Sequence, residues 1–146
     1  MQKAIEILTN LIKQFEGCEL TAYKCPAGVW TIGHGHTGKD VVQGLKWTQD
    51  YADDVLKSDA AKYMRQALSA SPSLSGASES RQAAIADFVY NCGLGNYKSS
   101  TLKKCVDAGN WQLAYSEILK WNKAGGVVLK GLVRRREAEK RLLENR

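Results

Sequence analysis

No stretch of these 146 residues approaches the ~20 consecutive apolar residues that a helix needs to cross a bilayer. The N-terminal segment supplies no secretory signal either, because Lys3, Glu6 and Lys13 interrupt what would be its apolar region. The chain is therefore expected to be made in the cytoplasm in mature form. A substrate outside the membrane would require something else to release it. The four cysteines, Cys18, Cys25, Cys92 and Cys105, lack paired metal-ligand spacing, and reduced thiols are their expected state. The two histidines, His34 and His36, alternate with glycine, yet no third ligand stands at suitable spacing. No metal and no cofactor is expected. Internal repeats and low-complexity tracts are also missing, and the length suits one domain, or one lobed domain, with room for a core.

What is present is ordinary for a soluble globular protein: 44% hydrophobic and 25% charged residues. The net charge of +6 and the pI near 9.2 favour anionic partners such as nucleic acid, lipid headgroups, lipopolysaccharide or a cell wall. Charge alone does not choose among them.

Hydrophobic periodicity predicts a helix over 2–15, with Ile5, Leu8, Ile12 and Phe15 on one face and Gly17 ending it. From Cys18 to Gly44 glycines recur among the β-formers Tyr23, Val29, Trp30, Thr31 and Ile32, which predicts a short, turn-rich antiparallel sheet. Thr48 is the expected N-cap of a long helix to about Leu68, with Val55, Leu56, Tyr63, Ala67 and Leu68 as its buried stripe. Residues 69–78 read as a polar loop, and 79–92 as a helix broken by Gly93 and Gly95. Ser100 and Asn110 are expected to cap two short helices, the second running to Trp121. Gly125-Gly126 reads as a stop before a basic helix over about 130–144. The expected fold class is α+β and mostly helical: a small antiparallel β lobe (about 18–46) and a larger helical lobe (about 47–146) packed with the N-terminal helix. A cleft between such lobes is a natural ligand site.

Glu16, Cys25 and Thr31 stand within one short segment, and Thr31 opens the run Thr31-Ile32-Gly33-His34-Gly35-His36-Thr37-Gly38. A potential acid, a potential base or nucleophile, and a hydroxyl lie close together in a glycine-rich stretch. This suits hydrolysis of a glycosidic bond by opposed polar groups, although such sites usually carry a second carboxylate where Cys25 stands. Glu16, beside Phe15 at the end of an apolar helix face, would be partly desolvated and able to hold a proton for a leaving oxygen. By spacing alone it could equally be a solvated charge at a helix end. Cys25 has two chemical readings, a thiolate base for a water held by Thr31 or a direct nucleophile, and a third as a small structural cysteine. Thr31 could also be only a strand residue.

With those residues in place the chain resembles the phage-type lysozymes, the endolysins of glycoside hydrolase family 24. That family carries a Glu, then Asp or Cys after eight residues, then Thr after five more, matching Glu16, Cys25 and Thr31. Phe15-Glu16-Gly17, Tyr23, Phe88-Val89-Tyr90-Asn91-Cys92-Gly93 and Gly131-Leu132-Val133-Arg134-Arg135-Arg136-Glu137 also resemble it. The resemblance implies a two-lobed lysozyme fold and a muramidase acting on peptidoglycan. It implies catalytic Glu16, Cys25 and Thr31, with Gly35, Thr37, Tyr90 and Thr101 lining the sugar groove. Tyr90 could instead be core packing of its helix. The resemblance further implies an ion pair of His36 with Asp59, and a C-terminal arginine, one of Arg134, Arg135 and Arg136, buttressing Glu16. The remaining partner expectations are holin-dependent release, contact of the basic last helix with lipopolysaccharide or membrane, no nucleic acid, and a monomer. Two competing functions stand beside this one. A lytic transglycosylase would need one Glu and no activated water, and a basic membrane-disrupting protein would act through its last helix.

Overall fold

The computed structural model describes residues 1–146. Its helices are α1 (Gln2–Glu16), α2 (Gln49–Ala70), α3 (Glu79–Cys92), α4 (Leu94–Ser99), α5 (Thr101–Asp107), α6 (Trp111–Ile118) and α7 (Lys130–Glu144). The strands are β1 (Glu19–Lys24), β2 (Trp30–Gly33), β3 (His36–Thr37), β4 (Lys123–Ala124) and β5 (Val127–Val128). β1, β2 and β3 form an antiparallel sheet in that order, and β4 and β5 form a separate hairpin. The molecule is thus mostly helical with a small antiparallel sheet.

α3 is the central helix. Ala83 to Val89 are all buried, including Asp87, and α1, α2 and α7 pack around it. The core joins Leu8 and Ile12 of α1, Leu56 and Met64 of α2, Ile85 and Phe88 of α3, and Leu102 and Ile118 from the short helices. The sheet has little core of its own: Ile32 is its buried aliphatic side chain, and Val41 is buried in the segment that returns from it. That segment runs back beside β1, where the Ala22 and Trp47 amides donate to the Leu45 and Leu20 carbonyls.

Local chemistry accounts for the element ends. The Thr48 hydroxyl accepts from the Tyr51 amide, Ser78 from Arg81, Ser100 from Lys103 and Asn110 from Leu113, so each caps a helix as its residue type favours. Several sequence expectations need correction. α2 continues to Ala70, and the segment 69–78 holds a 3-10 turn at Pro72–Gly76. The stripe of α2 is Ala52, Leu56, Ala60, Met64 and Ala67; Val55, Tyr63 and Leu68 are half-buried. Gly93 ends α3, yet Gly95 lies inside a further helix, α4. α6 stops at Ile118, before Trp121. Gly125 and Gly126, at φ of 58° and 79°, are the turn of the β4–β5 hairpin, where positive φ at both positions suits glycine.

Candidate active site

Glu16 is the last residue of α1, and the chain leaves it through Gly17 at φ of 67°. The side chain is held at this end by one long-range partner: Arg135 Nη1 donates to its Oε2 at 2.6 Å. Of the three consecutive arginines, Arg135 is the buttress. It is itself fixed by Asp87, since Arg135 Nε and Nη2 donate to the two carboxylate oxygens at 2.9 and 2.8 Å. Such a bidentate pair sets both the position and the plane of the guanidinium. Arg135 is 3% exposed and Asp87 0%. Burial works against the Arg135 charge, and the Asp87 carboxylate more than offsets it, so the guanidinium is held firmly protonated.

The cluster extends inward. Arg136, fully buried, donates to Glu139 Oε2 at 2.9 Å and to Asn91 Oδ1 at 2.8 Å. Its Nε lies 2.7 Å from Glu139 Oε1, but the N–H is not aimed along that contact and forms no hydrogen bond there. Burial and a proton shared with Asp87 push Glu139 well above the usual carboxylate range. Burial alone would raise Asp87 too, but Glu139 and Arg135 together hold it below that range. Burial raises the Cys92 thiol to about 11 even with Arg136 beside it, so this cysteine is inert packing.

On the sheet side, β1 ends at Lys24 and Cys25 begins a tight turn, with the Cys25 amide donating to the Val29 carbonyl at 2.9 Å. The Cys25 thiol is held below its ordinary value, first by the backbone N–H of Val29, then by that of Ala27 and by the Thr31 hydroxyl, against some desolvation. Thr31 lies in β2, paired with Tyr23 and Thr37, and is 4% exposed. Its hydroxyl donates to the Val29 carbonyl at 3.0 Å. One hydroxyl hydrogen cannot serve that carbonyl and the sulfur together. Tyr23 is raised by partial burial and then by Glu16, which sets its ring near the acid.

Gly35 stands directly beside Glu16. A methyl group there would meet Glu16 Oε1 at 2.8 Å and the Tyr90 hydroxyl at 3.2 Å, and its φ of 85° suits glycine. Tyr90, on α3, donates its hydroxyl to the His34 carbonyl at 2.6 Å and packs edge-on against Tyr63 at 4.9 Å. It therefore ties the helical part to the glycine loop, and its hydroxyl is already engaged. Thr37 is exposed on β3, next to Thr31 in register. Thr101 opens α5 in a concavity shared with Ser99, Glu117 and Lys120. No described hydrogen bond joins it to Glu16.

Two histidines lock the sheet to α2. His34 faces the Gly17 carbonyl at 2.9 Å and Asp53 at 3.0 Å. His36 faces Asp59 at 2.6 Å and Asp40 at 3.1 Å. The bond to Asp59 outweighs desolvation and raises His36 above its ordinary value. A raised folded value stabilises fully below the ordinary histidine pKa, about 6.5, and that contribution is lost as pH climbs through the raised value. Asp59→Asn is expected to lower the His36 titration midpoint in NMR and to cost about 1 kcal/mol at pH 6, a figure already discounted for solvent screening. An unchanged midpoint would contradict the pair.

Sequence reasoning named Glu16, Cys25, Thr31, Gly35 and Tyr90, and the structure brings Glu16, Gly35 and Tyr90 into contact and sets Cys25 beside Thr31. It missed Asp87, Glu139 and the anchoring role of His34. Their sequence signal was an acidic residue on each of two helix faces otherwise buried.

A family model described as phage lysozyme matches residues 13–139. The chain is similar to an endolysin of Bacillus phage B103, 42% identical over 138 residues that cover 91% of this chain and 51% of that protein. It is 37% identical over 126 residues to a SAR-endolysin of Enterobacteria phage PA-2, covering 86% of this chain and 74% of that protein. The chain thus spans about half the length of the first relative. Among solved structures it resembles the muramidase domain of SpmX from Asticcacaulis excentricus, with a TM-score of 0.81, 29% identity, and 93% of each chain covered.

Proposed function

The chain belongs to the phage lysozyme family, and from that premise we propose that it is a muramidase-type endolysin. It hydrolyses the β-1,4 bond between N-acetylmuramic acid and N-acetylglucosamine in bacterial peptidoglycan. The observation that carries this reading is the Glu16 carboxylate, fixed by Arg135 at the junction of helix and sheet and left open beside the bare backbone of Gly35. Glu16 donates a proton to the leaving glycosidic oxygen. Cys25, its thiol already lowered, takes a proton from a water on the opposite face of the sugar, with the Thr31 hydroxyl steadying the sulfur. Gly35 admits the sugar, and Thr37 and Tyr90 border it. Thr101 is an outlying groove residue.

Residues 1–146 act as one catalytic domain, as a monomer, with no nucleic-acid partner. The protein is made in the host cytoplasm, is released by a holin, and acts on the wall from the periplasm. No helix of the structure is long and apolar enough to cross a membrane. Contact of α7 with lipopolysaccharide is left to Lys130, Arg134 and Arg141, because Arg135 and Arg136 are buried and engaged.

Mass spectrometry of digested sacculi tests the reaction. Hydrolysis gives reducing ends carrying an added water, whereas anhydro ends would replace the muramidase reading with a transglycosylase. Killing without new glycan ends would replace it with membrane disruption. Cys25→Ala is expected to lower the rate about a hundredfold, the size of a general-base contribution. Cys25→Asp is expected to keep substantial activity and to move the acid limb of the pH–rate profile down toward the carboxylate range, near 4. Full activity in the alanine variant would remove Cys25 from the mechanism.

A further inference from the structure

The β4–β5 hairpin is exposed along its whole length, with Val127 at 60% and Val128 at 53% exposure. Two exposed branched apolar residues on an isolated two-stranded ribbon have no packing role. The hairpin is nevertheless well defined, because Trp121 at its base packs edge-on against Phe88 and the Leu129 amide closes it on the Asn122 carbonyl at 3.0 Å.

Its register fixes where its free hydrogen-bonding groups point. Ala124 pairs with Val127 across the two-glycine turn, and Lys123 pairs with Val128. In antiparallel pairs, bonded and non-bonded positions alternate. Asn122 and Leu129 are bonded, and so are the residues flanking the turn. Lys123 and Val128 are therefore the non-bonded pair, with N–H and C=O directed outward from the ribbon. Each edge offers one donor and one acceptor to an extended strand.

The position of the hairpin follows from helix directions. α1 and α7 meet at Glu16–Arg135, and Ile7, Leu11 and Gln14 share a groove with Ala138, Leu142 and Asn145. Both helices therefore run away from that contact together. In the other direction lie the sheet, which follows Glu16, and the hairpin, which precedes α7. Lys130 is five residues before Arg135, roughly 7 Å along the axis. Sheet and hairpin therefore lie toward the same end of the α1–α7 pair as the Glu16–Arg135 contact.

The charge at this rim is of one sign. Lys123, Lys130 and Arg134 are exposed and form no ion pair, and Glu137 is the acidic side chain near them on α7.

The geometry points to the β4–β5 hairpin as a docking rim for the stem peptide of peptidoglycan, which adds as an extended strand to the Val128 edge while its carboxylates face Lys123 and Lys130. This deepens the muramidase reading and rests on it. A stem peptide fits because it is short, extended, rich in free carboxylates and attached to the sugar being cut. Backbone pairing of this kind gives affinity without demanding a particular side chain, which suits a peptide containing D-residues.

Two variants test the rim. Val128→Pro deletes the outward N–H, and no ladder bond is lost because that N–H makes none. Lys123→Gln with Lys130→Gln removes charge at exposed positions. Each is assayed with the unaltered protein on soluble peptidoglycan fragments bearing stem peptides and on the same glycan stripped by an amidase, and melting temperatures are taken alongside. KM on the peptide-bearing substrate is expected to rise roughly five- to tenfold, the worth of about one lost hydrogen bond. kcat, melting temperature and kinetics on stripped glycan stay unchanged. An unaltered protein that cuts only the peptide-bearing glycan, with variants that have lost the tighter KM, is the same result at its limit. Equal shifts on both substrates, or none on either, overturn the docking rim while leaving the muramidase reading standing. Failure of the unaltered protein to cut either substrate overturns that reading itself.

Discussion

Glu16→Gln is expected to reduce glycan cleavage by about 10³- to 10⁴-fold, the upper part of what a positioned acid contributes. Glutamine keeps the size of the side chain and its carbonyl can still accept from Arg135 Nη1, now 2.6 Å from the carboxylate. What disappears is the transferable proton. The fold should survive, because α1 is anchored by Ala4, Leu8 and Ile12 in the core and not by its last residue. The expected result is thus a large loss in kcat with a melting temperature close to that of the unaltered protein. The charge change works against a simple outcome in one respect. The glutamine amide holds Arg135 less firmly than a carboxyl that can ionise, so a small fall in stability accompanies the loss of rate. If lysis of a sensitive strain persisted at full strength, the killing would not depend on hydrolysis, and the basic surface would have to explain it.

Asp87→Ala is expected to destabilise the protein by about 3–5 kcal/mol, because it strands a buried guanidinium that had two carboxylate bonds. For a chain of this size that corresponds to a fall in melting temperature of roughly 10–15 °C. Activity should fall as well, since Arg135 would no longer be pinned and Glu16 would follow it. Glu139→Gln makes the complementary case. Glu139 is fully buried beside Asp87 and is raised, first by burial and then by that neighbour. A carboxyl whose folded value lies above its unfolded one binds more protons when folded. Stability then falls as pH rises from about 4.3 toward the raised value. Asp87 behaves in the opposite sense. Its lowered value gives stability above the ordinary carboxylate range, and that stability is lost as pH falls through the folded value. Glutamine at 139 mimics the protonated acid, so thermal melts at pH 7 should show the variant as stable as the unaltered chain or more so. A loss comparable to Asp87→Ala would mean that Glu139 is ionised and indispensable as a charge.

The contrast between these residues shows what a linear sequence discloses. Glu16, Cys25 and Thr31 are legible because their relation is local: one helix end, one turn and one strand carry them. The caps at Thr48, Ser100 and Asn110 are legible for the same reason. Which of three adjacent arginines reaches Glu16 is not legible, since successive residues point about 100° apart and the choice depends on how α7 is rotated against α3. Asp87 reads as a surface charge until its partner, 48 residues away, is in place. The β4–β5 hairpin is not legible because its strands, at two residues each, are too short for alternation to register. Its one clear signal was the glycine pair, which is a hairpin turn as readily as a helix stop. Tyr90 reads equally as groove or core in sequence, and its geometry shows why: it is half-buried and spends its hydroxyl on the His34 carbonyl.

The sheet buries Ile32 as its one aliphatic side chain, beside Thr31 and Gly33, and it is tied to the helices by His34, His36 and Tyr90 through polar bonds. Helix packing and sheet packing are therefore expected to open as separate cooperative units, the sheet at the lower free energy. Amide hydrogens of β1 and β2 should exchange through excursions that leave α3 closed. Cys25 and Thr31 ride on the weaker unit, and Glu16 on the stronger. On warming, the two halves of the proposed chemistry are expected to part before the chain melts, so activity should be lost below the melting transition and recovered on cooling.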